Sequence, residues 1–418
     1  MALLAIGRSG DQATDVVAEA RRRAAGVWPG FDPTIVPVML FDGRQTMLSG
    51  HPNPPAGFPW QGRHPEVTAN SSVELAGVRT ATVMPFRSGT SMAQRAGLVA
   101  HEMFHVFTLG RHPGWTANEV EAFSYPADRA EVLASRRAEY RMLRRALAAS
   151  NRFQRVCWAK AALAARRQRY ALMSAGSIGY ERAGELAEGL ADYVEKRAAA
   201  GGDADVMPNQ VLQPEDIRNA VYATGNALAR LLDLEARGWR DTLEQRDSLR
   251  LDVMLAATLD TLPGQACALG SVEAQRLIED AGRDVAALRQ RRAADLAAHE
   301  GREGWKITIV AGAEPLWPQR FDPLNVRLLD SATVLHRRMI RLGNGAGSVE
   351  VLGHEAVTRA AGAHALFNGL RALTITGLAN APSFSDSAGT IILDMPTVKA
   401  RLRGSLDRRT SEVVIRLP

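Results

Sequence analysis

His101-Glu102-Met103-Phe104-His105 is an HExxH string, set inside residues 91–108, whose apolar spacing predicts a helix. Side chains four apart on a helix lie one above the other, so both imidazoles can point at one ion, as a tetrahedral zinc site requires. Glu102 falls on the flank of that face. Its carboxylate is too far round to join the ligands easily, but it is placed to take a proton from a metal-bound water. The plainer alternative is two ordinary helix histidines, one packed and one solvated.

A catalytic zinc keeps three protein ligands and one open position, so a third donor is needed. Residues 180–193 read Tyr-Glu-Arg-Ala-Gly-Glu-Leu-Ala-Glu-Gly-Leu-Ala-Asp-Tyr, a further predicted helix with Glu188 and Asp192 four apart. Glu188 can bind the metal. Asp192, one turn along, can accept the free N–H of a ligating histidine and so fix its tautomer. Glu119 and Glu121, in Asn118-Glu-Val-Glu-Ala-Phe123, are rival ligands. As simple surface acids they would fit the first turn of the next helix, where the helix dipole favours negative charge.

His-Glu-Met-Phe-His followed by Glu188-Gly189-Leu190-Ala191-Asp192-Tyr193 resembles the gluzincin branch of the zincin metallopeptidases. The resemblance covers about residues 80–240. It implies His101, His105 and Glu188 as ligands of one Zn²⁺, Glu102 as general base, and a peptide or protein substrate. Glu188 follows His105 by 83 positions, a long interval for this branch. Two Arg- and Ala-rich helical patterns at residues 127–173 fill it, and a helical hairpin would return the chain to nearly the same place. Glu119 and Glu121 resemble the shorter-spaced zincins, so the third ligand stays open between these positions and Glu188.

Tyr222-Ala-Thr-Gly225 resembles the Tyr-x-x-Gly helix start of aminopeptidase-type gluzincins. This implies Tyr222 as the donor to the oxyanion of the scissile carbonyl. A half-buried packing role is the alternative for Tyr222, and Tyr125, Tyr180 and Tyr193 are other candidates for the donor. Upstream, residues 78–86 are β-rich with Pro85 near the end, which suggests an edge strand able to take a substrate as an added strand. No Gly-x-Met-Glu-Asn string accompanies that strand, so exopeptidase activity is not supported. Two other readings remain: an inactive zincin-fold interaction scaffold, and a zinc hydrolase of a non-peptide amide or ester.

The 418 residues can fill several domains, and 46% hydrophobic with 23% charged residues suits a soluble globular protein. The two cysteines, Cys157 and Cys267, fall in predicted helices and suggest neither a disulfide framework nor a zinc ribbon. The apolar start at residues 1–8 is short for a signal peptide, and no stretch reaches transmembrane length. A cytoplasmic place is expected, or an extracytoplasmic one if a signal has been removed. The net charge of +6 is carried mostly by arginine, in clusters such as 21–23, 166–169 and 289–292. Scattered over several helices, these read as solvated faces and not as a nucleic-acid surface. The sequence does not fix an oligomeric state.

The expected fold class is α+β, and under the resemblance a zincin-like core. Four parts are read: 1–90, an N-terminal α/β subdomain with a mixed sheet; 91–200, the metal-binding helices with their insert; 201–303, a helical block; and 304–418, an antiparallel β domain. In the last, Gly343-Asn-Gly-Ala-Gly-Ser348 is a hairpin turn, because no helix opens after it to hold a phosphate. His354 and His364 lack a partner spacing and are read as structural.

Overall fold

The HExxH helix begins at a capping box: Oγ of Ser91 accepts from the Gln94 amide, and the Gln94 side chain accepts from the Ser91 amide. The chain is seen in a computed structural model that describes residues 8–200, 207–322, 325–387 and 389–418. The opening run, residues 1–7, lies outside them. In chain order the helices are α1 (Arg8–Ala24), α2 (Met92–Arg111), α3 (Glu119–Phe123), α4 (Ala130–Leu147), α5 (Arg152–Tyr170), α6 (Ala175–Gly184), α7 (Leu190–Ala200), α8 (Ile217–Glu235), α9 (Trp239–Glu244), α10 (Leu251–Asp260) and α11 (Ser271–Glu300). The class is α+β. Two compact units share the chain: Met1–Asn118 with Ala130–Ala281, and Glu119–Arg129 with Gly282–Pro418.

The first unit holds a mixed sheet of β1 (Val38–Phe41), β2 (Gln45–Ser49), β3 (Trp60–Gln61), β4 (Ser71–Leu75) and β5 (Val78–Val83), in the order β3-β2-β1-β5-β4. β1 and β5 run parallel, and the other pairs are antiparallel. The edge expected at residues 78–86 is corrected here. β5 is an interior strand that stops two residues before Pro85, with residues 80–83 all buried, and the edge strand is its antiparallel neighbour β4. A proline beyond the last pair says nothing about which side of the strand is open.

Beneath α2, Trp28 meets Phe104, Trp115, Tyr193 and Trp239 edge-on, at 5.4–6.4 Å between ring centroids. Each such contact contributes about 0.5–1.5 kcal/mol beyond area burial. The cluster ties α2 to α7, and so ties together the two helices that carry the site. The insert is a helical hairpin of α4 and α5. Two sequence readings change here. Arg166 and Arg169 are not on a solvated face: each is 1% exposed and paired with buried glutamates. Cys157 and Cys267 pair as a disulfide, and Cys267 lies in the connection before α11, not in a helix. Lys160 holds that connection against α5 by donating to the carbonyls of Leu262 and Gly264, which brings the distant cysteines together.

The second unit contains β6 (Trp305–Val310), β7 (Trp317–Phe321), β8 (Val326–Leu328), β9 (Thr333–His336), β10 (Met339–Asn344), β11 (Gly347–Leu352), β12 (Ala356–Ala360), β13 (Leu370–Leu378), β14 (Phe384–Ser387), β15 (Thr390–Asp394), β16 (Val398–Arg403), β17 (Ser405–Arg408) and β18 (Glu412–Arg416). They form one sheet β14-β15-β16-β11-β10-β7 and another β17-β18-β6-β13-β12-β9-β8. Ile307, Ile309 and Ile375 of one sheet share an apolar core with Ile340, Leu342 and Val351 of the other. All pairings are antiparallel except β18 with β6. Residues 343–348 make the expected hairpin turn, with Asn344 opposite Gly347. His354 and His364 bond the carbonyls of Thr376 and Val120 and are structural. Among the described residues, no helix is long and apolar enough to cross a membrane.

Candidate metal centre

On α2 the two histidines one turn apart turn Nε2 to the same point, 3.1 Å from each other. Oε2 of Glu188 lies 3.2 Å from Nε2 of His105 and 3.9 Å from Nε2 of His101. These three form the one group of possible metal ligands among the described residues, with all ligand atoms within 4.8 Å. The donor set fits a metal. Three atoms about 3.3 Å apart are what bonds of about 2.0 Å to one tetrahedral ion require, and two imidazoles with one carboxylate suit a borderline cation. Glu119 and Glu121 belong to the other unit, on α3, and are not in the group.

Glu188 reaches this point from a π-helical turn, Glu185–Gly189, between α6 and α7. Gly189 makes the arrangement possible. A Cβ there would stand 2.5 Å from Cα of Gly225, so α8 crosses backbone to backbone at this turn. The crossing delivers Tyr222, whose hydroxyl interacts with Glu188 and whose ring stacks on His101 at 5.9 Å. Of the other candidates, Tyr193 donates to Asp233 and Tyr125 lies in the second unit. Tyr180 is buried on α6.

Gly97 plays a matching part on α2, one turn before His101. A Cβ at Gly97 would lie 2.7 Å from the Glu195 carbonyl, so α7 passes close enough for Oε2 of Glu195 to stand 2.9 Å from Nδ1 of His101. The sequence assigned this contact to Asp192. The neighbour of Nδ1 is instead Glu195, and Oδ2 of Asp192 takes hydrogen bonds from Lys196 and Asn226. Positions 188 and 195 are seven apart and share a helix face, so the signal was present. Arg218, also unforeseen, stands one turn before Tyr222 with Nη2 3.4 Å from Oε1 of Glu188.

Electrostatics follow from burial and these neighbours. Burial alone would depress His101, but Glu195 against Nδ1, with Glu102 and Glu188 nearby, holds it above the usual histidine value. Burial would raise Glu188, yet hydrogen bonding and charge from His105, with Tyr222, bring it down to about 2. That carboxylate is therefore ionised and ready to bind a cation. Glu102 is 4% exposed, and burial pushes its carboxyl up. Its Oε2 makes no hydrogen bond within the protein. Comparison with protein-family models, curated proteins and solved structures finds no match to this chain.

Proposed function

We propose that this protein is a zinc-dependent peptidase of the gluzincin kind. The observation that carries this reading is the convergence of Nε2 of His101, Nε2 of His105 and Oε2 of Glu188, with Glu102 beside them and unpaired at Oε2. Such a ligand set leaves a tetrahedral ion one open position, the mark of a catalytic and not a structural site. When bound, the zinc would act as a Lewis acid that lowers the pKa of a water towards about 7 and polarises a carbonyl.

The protein's own groups do the rest. Glu102, raised in pKa but flanked by two imidazoles, accepts the proton of the attacking water and returns it to the leaving amine. Tyr222 keeps its proton, because burial and then Glu188 hold its hydroxyl above the usual tyrosine value, so it remains a donor for the developing oxyanion. β4 leaves one side unpaired in its sheet, and an extended peptide could add there.

The test joins metal analysis of the full chain to cleavage of a diverse peptide library, with and without a chelator. Stoichiometric zinc with chelator-sensitive cleavage supports the reading. Zinc without peptide cleavage, but with turnover of amide or ester substrates, would move the reaction off peptides. No metal and no turnover would leave an interaction scaffold.

A further inference from the structure

The helical hairpin between the two metal-binding segments does more than fill the interval. Glu188 lies inside the π-helical turn, and Glu185 opens that turn: its carbonyl accepts from the Leu190 amide, five residues on. Wide turns of this kind are rare and occur mostly at functional sites. The Glu185 side chain is 1% exposed. Nη1 and Nη2 of Arg166, on α5 of the hairpin, donate to it at 2.8 and 2.5 Å, and Oγ1 of Thr224 on α8 donates at 2.8 Å. Nε of Arg166 donates to Glu139 on α4 at 2.7 Å. Arg169 then joins Glu139 to Glu181 on α6.

Five ionic side chains are thus buried in one cluster. Taking each out of water costs several kcal/mol, and an apolar core of the same shape would often be as stable, so stability does not explain the cluster. Bidentate guanidinium pairing does fix geometry, and the segment fixed is the one that aims Glu188.

We infer that Arg166 is a positioning residue for the metal. By clamping Glu185 it holds the π-helical turn open at the width that turns Glu188 towards His101 and His105, and the hairpin insert exists in part to supply it. This inference rests on the metal-centre reading above.

The experiment measures Zn²⁺ affinity of the full chain by competition with a chromogenic chelator, and the visible spectrum of the Co²⁺ form. Arg166→Lys keeps the charge but loses the fork, and should weaken Zn²⁺ binding about 10- to 100-fold and shift the Co²⁺ bands. Arg137→Lys is the control. That arginine is also buried in the hairpin and donates to the Leu212 carbonyl, so its variant should lose thermal stability while keeping both metal readouts. Thr224→Val removes one donor to Glu185 without disturbing any ion, and should weaken Zn²⁺ in the same direction. It decides the matter if Arg166→Lys does not fold. Wild-type metal binding in both Arg166→Lys and Thr224→Val, or equal weakening in Arg137→Lys, overturns the inference and leaves the metal centre standing. A wild-type chain that takes up neither Zn²⁺ nor Co²⁺ overturns both.

Discussion

Oε2 of Glu195 stands 2.9 Å from Nδ1 of His101, while Nε2 of the same ring faces His105 and Glu188. A carboxylate at Nδ1 keeps the proton on that nitrogen and leaves the Nε2 lone pair for a metal. Glu195→Ala should therefore weaken Zn²⁺ binding about 10- to 100-fold in a competition titration. Asp192→Ala should leave it near wild type, because Asp192 bonds Lys196 and Asn226. The opposite order would return the supporting role to Asp192.

The close crossing at Gly189 and Gly225 makes a second prediction. A Cβ at Gly225 would lie 2.7 Å from both the Glu185 carbonyl and Cα of Gly189, so Gly225→Ala must push α8 away and should cost about 1–3 kcal/mol or more. Gly179, exposed on α6, has nothing within 4 Å of its would-be Cβ, and Gly179→Ala should stabilise by up to about 1 kcal/mol. Thermal denaturation of the two variants checks the pair. Similar melting for both would mean that the two backbones are not in contact.

What the sequence revealed, and what it hid, follows from the range of each interaction. His101 and His105 were legible because one helix fixes their relation, and Glu188 because residues 188–193 spell Glu-Gly-Leu-Ala-Asp-Tyr, with Asp192 one turn along. Glu195 was passed over for Asp192 because only the neighbour one turn along was weighed, although position 195, seven residues on, shares the face of position 188. Arg166 and Arg169 looked like solvated charge, since their partners Glu139, Glu181 and Glu185 lie on other helices and no local rule joins them. In the second unit, residues 333–342 form one unbroken β-like run in the sequence. The chain there divides into β9 and β10, which serve different sheets, and the break at Arg337 and Arg338 carries no glycine or proline to announce it.

Tyr222 separates binding from chemistry. Tyr222→Phe removes one hydroxyl, and if that hydroxyl donates to the oxyanion, kcat should fall by about 10²-fold or more with KM little changed. Zinc content should stay stoichiometric, because the tyrosine is not among the converging ligand atoms. Unaltered kcat in steady-state kinetics would leave Tyr222 a packing residue that steadies Glu188.

In the second unit, His336 is fully buried, with Nε2 2.9 Å from Oγ1 of Thr358, and burial pushes its imidazole down from 6.5 to about 3. Below pH 6.5 the unfolded chain takes a proton that the folded one refuses. Stability is therefore full above pH 6.5 and declines as pH falls towards 3, by about 2 kcal/mol between pH 6.5 and pH 5. Hydrogen exchange of the β9 and β12 amides, corrected for intrinsic rates, should show this loss. His336→Gln, which cannot titrate, should flatten the slope. An equal slope in that variant would assign the pH dependence to other groups.

The most direct measurement is turnover and zinc content of Glu102→Gln beside the wild-type chain, on whichever peptide the library identifies. The amide keeps the shape of the carboxylate but cannot accept a proton, so zinc should remain stoichiometric while kcat/KM falls by about 10²- to 10⁴-fold. Wild-type turnover in a Glu102→Gln protein that still holds its zinc would contradict a hydrolytic centre built on Glu102.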